Sequence, residues 1–356
     1  MEASTSSAPE PAVIVPRRGD LARRLVQRYG LIVLLLALPV FYGVKDLHKD
    51  GNLVHLANNL FSGLSNGTII ALIAIGYTLV YGIIELINFA HGDVFMWGTM
   101  ITVSIAGTRL GLDGSQSGIV TFLGVLAAML GAMIFCGILN PTIERVALRR
   151  LRNAPRLAPL ITTLGISYIL SNAAQFFYGP NYTGVGAILP SNILFLDWPA
   201  KSLIVILATI PLLLALTYVV RRTRQGKAMR AVAQDMDAAR MMGVDVDRTI
   251  SFTFALAGIL AGAGGTLYVL EITTTRYDLG QIGLLAFTAA VLGGIGNLTG
   301  ATLGALIIGL IQAFNEGLSW HAPGEQWTTS IVFSILILIL VFRPQGLLGQ
   351  PEADRA

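Results

Sequence analysis

Ten apolar runs, most of them close to the length that crosses a bilayer, dominate the sequence. A helix needs about 20 apolar residues to cross the hydrocarbon core of a membrane. Hydrophobic residues make up 54% of the 356 residues and charged residues only 12%, against about 25% charged in soluble domains. A membrane β-barrel would instead show short segments that alternate apolar and polar residues. The pattern therefore predicts an all-α polytopic membrane protein.

About ten transmembrane spans are predicted, some of them interrupted. They lie at residues 29–44, 60–84, 92–107, 118–140, 158–178, 202–220, 249–270, 281–297, 300–318 and 327–343. Arginine and lysine concentrate in the connections at 17–28, 141–158 and 221–230. Cytoplasmic loops retain basic residues, and ten spans place all three connections on one side. Both termini are therefore expected in the cytoplasm, and the neutral or slightly acidic connections outside.

The spans also divide the chain. Residues 1–28 are expected to form a basic, disordered cytoplasmic tail, because their first half is rich in Ala, Ser and Pro. Residues 29–343 are expected to form the transmembrane domain, and residues 344–356 a second cytoplasmic tail. Membrane lipid is the surrounding partner, and no feature predicts binding to nucleic acid.

Two polar breaks fall between consecutive apolar runs: ELINFAHGDV at residues 85–94 and VLGGIGNLTGATLG at residues 291–304. Irregular backbone at membrane depth requires protein or a water-filled cavity around it, and transporters use interrupted helices at the substrate path. Two short turns outside the membrane fit the same spacing, so both interpretations stay open. The candidate residues of a translocation path are Glu85, Asn88, Phe89, His91, Gly92, Asp93, Gly294, Gly296 and Asn297.

Catalysis and metal binding have little support in the sequence. Glu85 and Asp93 could pair as acid and base, but no nucleophile or metal-ligand cluster accompanies them, and the four histidines lack ligand spacing. No G-x-x-x-x-G-K-[ST] loop occurs either. The chain is thus predicted to be neither an enzyme nor a cofactor-binding protein, and energy for transport must come from a partner or an ion gradient.

The connection at residues 221–248 is longer than a helical hairpin requires, and residues 227–242 predict an amphipathic helix. Methionines recur on its apolar face, and its acidic residues argue against binding to anionic lipid. A methionine-rich stripe suits an adaptable groove on a partner protein. The candidate docking residues are Met229, Arg230, Val232, Asp235, Met236, Ala239, Arg240 and Gly243.

Glycines at helical spacing predict one tightly packed helix. The stretch FALAGILAGAGGTLY places Gly258, Gly262 and Gly265 on the span at 249–270. Small residues at such spacing let helix backbones approach closely in lipid.

Four stretches in order resemble one family. INFAHGDVFM, at Ile87–Met96, resembles the signature of LivH-type permeases of ABC importers for branched-chain amino acids. The stretch from AMRAVAQDMDAARMMGVDVDR to FALAGILAGAGG resembles the region of that family that docks an ATPase. FTAAVLGGIGNLTGATLGALIIG and FRPQGLLG are also similar to it. The likeness covers residues 53–349.

The resemblance implies an importer with several subunits in the bacterial inner membrane. Beside this permease it implies a second, LivM-like permease, two cytoplasmic ATPases that bind ATP and Mg²⁺, and a periplasmic substrate-binding protein. It implies uptake of branched-chain amino acids by alternating access. Two alternatives stay open: a urea or short-amide importer of the same superfamily, and a stand-alone secondary carrier, which would commonly carry a membrane-buried acid.

Overall fold

A computed structural model describes residues 40–41, 43–45, 48, 53–112, 118–152, 154–155, 157–189, 200–317, 324–343 and 345–349. In residues 53–349 these ranges contain eleven α-helices. They are α1 (Leu53–Ile84), α2 (His91–Val103), α3 (Gly118–Ile143), α4 (Leu157–Tyr178), α5 (Ala200–Arg222), α6 (Arg224–Gln234), α7 (Met236–Met241), α8 (Val246–Ile272), α9 (Ile282–Gly293), α10 (Leu298–Glu316) and α11 (Glu325–Phe342). Two short strands, β1 (Thr183–Gly184) and β2 (Thr274–Thr275), pair antiparallel. The predicted N-terminal tail, and almost all of the predicted span at 29–44, lie outside the described residues.

Six of these helices are long and apolar enough to cross a membrane: α1, α3, α4, α5, α8 and α10. Two shorter apolar helices include α9 and most of α11. The prediction of an all-α polytopic membrane protein is confirmed. Helix α2 continues without interruption as a π-helix at Ser104–Arg109, so the predicted span at 92–107 is present in full. The predicted span at 281–297 is shorter than expected, because α9 has 12 residues. At 1.5 Å per residue, α9 covers only about 20 Å or less.

The contacts between helices fix their directions. Ser65, in the first half of α1, donates a hydrogen bond to Glu271 at the end of α8, so these two helices run antiparallel. In α2, the hydroxyl of Thr102 lies 2.8 Å from that of Thr266, and Gly98 packs against Gly262 one turn earlier. Helices α2 and α8 therefore run in the same direction.

The bundle has two distinct ends. One of them, called the basic end below, holds the end of α1, the arginines that follow α3, the helices α6 and α7, and the start of α8. The other, called the far end, holds the ends of α4 and α8 and the start of α5, where the carboxylate of Glu271 accepts a hydrogen bond from Ser202 at 2.7 Å.

The two parts of the chain repeat one arrangement with the direction reversed. Helix α1 runs to the basic end, an irregular segment follows, and α2 with its π-helical continuation at Ser104–Arg109 returns toward the far end. Helix α8 runs to the far end, a second irregular segment follows, and the short helix α9 returns toward the basic end, where Gly296 lies close to Gly82 of α1. Inverted pairs of this kind are common in membrane transporters.

The predicted close packing of α8 is confirmed. A Cβ atom on Gly262 would lie 2.7 Å from the backbone carbon of Ala132 in α3, and one on Gly265 would lie 2.7 Å from that of Gly98 in α2. The amide of Asn140 donates to the backbone oxygen of Phe254 at 2.7 Å, again between α3 and α8. Small residues on α8 thus hold three helices together at backbone contact.

Candidate functional site

The first polar break re-enters the bundle. Helix α1 ends at Ile84, and Glu85 takes a φ of 52°, a left-handed conformation that a non-glycine residue rarely adopts. Glu85 is exposed at the basic end, beside α6 and α7. His91 begins α2 and packs edge-on against Tyr77, with ring centroids 4.9 Å apart, and its ring fills the space beside Gly76. Gly76 lies nine residues before Glu85 in α1, which is about 13 Å along the helix. Residues 85–90 therefore lead from the basic end back to the middle of the bundle.

A second irregular segment, residues 273–281, descends from the far end to the same depth. Its start pairs with β1, and the hydroxyl of Thr275 contacts that of Thr99 in α2. Its end lies against α2, because a Cβ atom on Gly280 would collide with the carboxylate of Asp93. Helix α9 follows at Ile282.

The N-termini of α2 and α9 meet at backbone contact. A Cβ atom on Gly92 would lie 2.9 Å from the Cα of Gly283, and one on Gly283 would lie 2.6 Å from the Cα of Gly92. No side chain fits at either position without displacing the other helix. This meeting point is called the half-helix junction below.

A cavity of about 470 Å³ opens beside the half-helix junction, which is within the usual size of small-molecule sites. Helix α4 supplies one wall, and the starts of α2 and α9 with their preceding segments supply the other. The lining residues are Tyr77, Phe89, Asp93, Leu164, Ser167, Tyr168, Ser171, Asn172, Gln175, Tyr277, Asp278, Gly280, Gln281 and Leu284. Polar and apolar groups therefore share its surface.

Asp93 is the carboxylate at the junction. Its side chain is only 2% exposed, and Oδ1 accepts a hydrogen bond from the hydroxyl of Ser171 in α4 at 2.8 Å. The second carboxylate of the cavity, Asp278, is bound instead by the guanidinium of Arg276. Among the ion pairs of the described residues, none includes Asp93.

The structure places the predicted path residues in two groups. Phe89 and Asp93 line the cavity, Gly92 lies at the junction, and Asn88 and His91 are buried beside it at 2% and 1% exposure. This break therefore turns back into the bundle, where protein surrounds Asn88 and His91.

The second predicted break is a turn at the basic end. Gly294 and Gly296 have φ values of 104° and 89°. Asn297 caps α10 by accepting from the amides of Thr299 and Gly300, and its own amide donates to the backbone oxygen of Leu348 at 2.8 Å. The three predicted residues Gly294, Gly296 and Asn297 thus lie at the opposite end of α9 from the cavity. Their arrangement anchors residues 345–349 rather than walling the cavity.

Sequence reasoning missed most of the cavity. Four polar residues of α4 line it, and in the sequence they form a stripe at i, i+4, i+5 and i+8: Ser167, Ser171, Asn172 and Gln175. A polar stripe along one face of an otherwise apolar span was the available signal. The segment at 276–281 gave none, because its residues resemble an ordinary loop.

The predicted docking helix needs correction. It is two helices, α6 and α7, separated by Asp235, whose carboxylate caps α7 by accepting from the amides of Asp237 and Ala238. The apolar stripe faces the chain's own helices rather than a partner, since Met229, Val232 and Ala239 are 2%, 1% and 4% exposed.

The inward orientation of the apolar stripe has a local cause. Thr223 begins α6 immediately after α5, so the chain turns back on itself. Gly226 then lies directly against the last carbonyl groups of α5, and the guanidinium of Arg230 donates to the backbone oxygen of Val220. The opposite face, which is exposed, carries Met241 and Met242 at 83% and 85% exposure. With them lie four of the predicted docking residues, Arg230, Asp235, Arg240 and Gly243, all exposed.

A buried ion cluster joins α3 to α8 beside these short helices. Glu144, fully buried, accepts from Ser251 of α8 at 2.7 Å and pairs with Arg152. Arg152 also binds Asp247 at 2.6 Å, and Arg149 pairs with the same carboxylate. The cluster thus ties the end of α3 to the start of α8.

Comparison with known proteins gives one consistent family. The profile described as branched-chain amino acid transport system / permease component matches residues 59–341. The high-affinity branched-chain amino acid transport system permease protein BraD of Pseudomonas aeruginosa is 37% identical over 309 residues, which cover 85% of this chain and 98% of BraD.

Two further relatives are also permease proteins. The high-affinity branched-chain amino acid transport system permease protein LivH of Escherichia coli K12 is 35% identical over 310 residues, covering 85% of this chain and 98% of LivH. The fructose import permease protein FrcC of Rhizobium meliloti is more distant, at 29% identity over 60% of this chain. The profile match and the two relatives above 30% identity show that this multi-pass membrane protein belongs to the family of permease components of branched-chain amino acid ABC transport systems.

Proposed function

We propose that this chain imports branched-chain amino acids across the bacterial inner membrane as the permease subunit of an ABC importer, with both termini in the cytoplasm. The observation that carries the proposal is the cavity at the half-helix junction. It joins polar groups, which suit the charged ends of an amino acid, to Leu164, Leu284 and Phe89, which suit an aliphatic side chain. The names of the BraD and LivH relatives support the same substrate class.

The proposed complex contains four further subunits of three kinds. A second, LivM-like permease pairs with this chain, a periplasmic binding protein delivers the substrate, and two cytoplasmic ATPases bind ATP and Mg²⁺. ATP binding is assigned to the partner ATPases because this sequence has no G-x-x-x-x-G-K-[ST] phosphate-binding loop.

The exposed face of α6 and α7 is the proposed ATPase contact. Met241 and Met242 supply exposed, adaptable apolar surface, and Arg240 and Asp237 beside them supply charge of both signs. The groove between Glu85 and residues 232–236 connects this face to the re-entrant segment. Movement of an ATPase would therefore act on the inner side of the cavity, as alternating access requires.

Uptake of radiolabelled leucine into proteoliposomes tests the proposal. This chain is compared alone and together with its second permease, ATPase and binding-protein partners, with and without ATP. We expect uptake only in the complete set with ATP, competed by valine and not by urea. Competition by urea would favour the amide importer, and uptake by this chain alone, driven by an ion gradient, would favour a secondary carrier.

A further inference from the structure

We infer that Asp93 binds the α-ammonium group of the substrate, so that the permease itself selects for amino acids and does not leave selection to the binding protein. The inference rests on the proposed function and assigns one chemical group of the substrate to one residue of the cavity.

The first argument is the burial of a carboxylate without a cation. Asp93 is 2% exposed, and a charged group inside a membrane protein is expensive unless it is paired or functional. Ser171 donates one hydrogen bond to it, and the amide groups at the start of α2 offset a part of its charge. Neither partner is a cation, so the site is completed by a positively charged ligand.

The second argument is access. Asp93 lines the cavity, and on one side its carboxylate lies directly against the backbone of Gly280, where any side chain would collide with Oδ1. The carboxylate is thus buried from bulk solvent but faces an empty volume large enough for an amino acid.

The third argument separates Asp93 from the other acidic group. Asp278 also lines the cavity, but its carboxylate is bound by Arg276. The guanidinium of Arg276 in turn lies over the ring of Tyr182, 4.7 Å from its centroid. Asp278 is therefore already neutralised, and Asp93 is the carboxylate of this cavity that is left for an ammonium group.

The apolar part of the cavity lining favours an ammonium ligand that also carries an apolar side chain. Leu164, Tyr168 and Leu284 line the same cavity as Asp93, so a ligand held there by its ammonium group has apolar surface for its side chain. A neutral amide such as urea would leave the buried carboxylate without a countercharge, which disfavours its binding. A fatty acid of the same carbon skeleton would bring a second negative charge to it.

Protection of a cysteine from labelling tests this assignment. Gln175→Cys is introduced in the complete transporter in lipid nanodiscs, because Gln175 lines the cavity on α4 and the native Cys136 is fully buried. A small, uncharged methanethiosulfonate labels the new thiol. Three ligands are compared: leucine, 3-methylbutylamine, which lacks the carboxylate, and 4-methylpentanoate, which lacks the ammonium group.

We expect leucine and 3-methylbutylamine to slow labelling and 4-methylpentanoate to leave its rate unchanged. With Asp93→Asn, the leucine concentration for half protection should rise roughly tenfold or more, because a charge-assisted hydrogen bond is lost. Glu271→Gln is the matched control, because Glu271 is a buried carboxylate of the far end that does not line the cavity, and it should keep the protection by leucine.

Protection by 4-methylpentanoate equal to that by leucine would overturn the inference. A result in which none of the three ligands slows labelling would also overturn it. Both comparisons are made with Asp93 intact, so they decide the matter even if Asp93→Asn does not fold. Leucine uptake by the same complex is measured in parallel. Uptake without selective protection refutes the role of Asp93 alone, whereas selective protection without uptake refutes the proposed function alone.

Discussion

At the scale of single residues, glycine decides how closely the helices approach. The Cα of Gly258 in α8 faces the backbone oxygen of Cys136 in α3, and a Cβ atom there would collide with it. In lipid, where apolar side chains gain little by leaving the solvent, such backbone contact is a main source of helix association.

Gly258→Ala should therefore destabilise the folded chain by about 1–3 kcal/mol, the usual effect of overpacking a tight interface. Thermal unfolding of the purified permease in detergent measures the change. Gly165→Ala is the matched control, because Gly165 lies in α4 and a Cβ atom there would meet no atom within 4 Å. It should be neutral or stabilising by up to about 1 kcal/mol, and an equal loss from both substitutions would contradict the packing argument.

At the scale of helices, the sequence predicts where apolar segments lie along the chain better than it predicts the depth in the bundle at which a helix begins. The spans that became α3, α4 and α10 begin within about two residues of their predicted starts, because a long apolar run has one stable form in a membrane. The short length of α9 and the mid-depth start of α2 were not predicted, since the depth of both N-termini depends on the contact of Gly92 with Gly283, which are far apart in the chain.

The buried ion cluster between α3 and α8 gives a prediction at the same scale. Arg152→Ala removes the cation beside the fully buried Glu144, and an uncompensated buried charge typically destabilises by about 3 kcal/mol or more. Arg149→Ala should change stability far less than Arg152→Ala, because Arg149 and its partner Asp247 are each more than 40% exposed. Chemical unfolding of the two variants compares them, and effects of equal size would show that the burial of Glu144 is not decisive.

At the scale of the whole molecule, orientation of the short helices could not be read from the sequence. The amphipathic pattern of residues 227–242 correctly identified one apolar face with Met229, Val232 and Ala239, but a periodic pattern does not say whether that face meets a partner or its own chain. The contact of Gly226 with the last carbonyl groups of α5 determines the orientation. Because α6 can approach α5 so closely, its apolar face packs against the chain's own helices. The polar stripe on α4 is present in the sequence, but only the packing of α4 beside α2 shows that it lines a cavity.

Replacing both exposed methionines tests the resulting docking surface. Met241→Ala with Met242→Ala should weaken the association of the permease with its ATPase roughly tenfold and lower ATP-driven leucine uptake accordingly. Thermal stability of the isolated permease should not change, because both side chains are more than 80% exposed.

The conservative pair Met241→Leu with Met242→Leu serves as the control and should keep most of the association, since it retains apolar surface. Affinity between purified permease and ATPase in nanodiscs is the measured quantity. Unchanged affinity of the Met241→Ala, Met242→Ala variant would show that the ATPase binds elsewhere on the basic end.

The meeting of α2 and α9 at mid-depth divides the permeability barrier into two thin layers in series. With a hydrocarbon core of about 30 Å, a junction at mid-depth leaves roughly 15 Å on each side, with residues 85–90 on one side and residues 273–281 on the other. If each segment closes its own side, a solute at the junction can exchange with one aqueous phase while the other side stays shut. The membrane can therefore keep its ion gradients during each cycle without a rearrangement that extends through its full thickness.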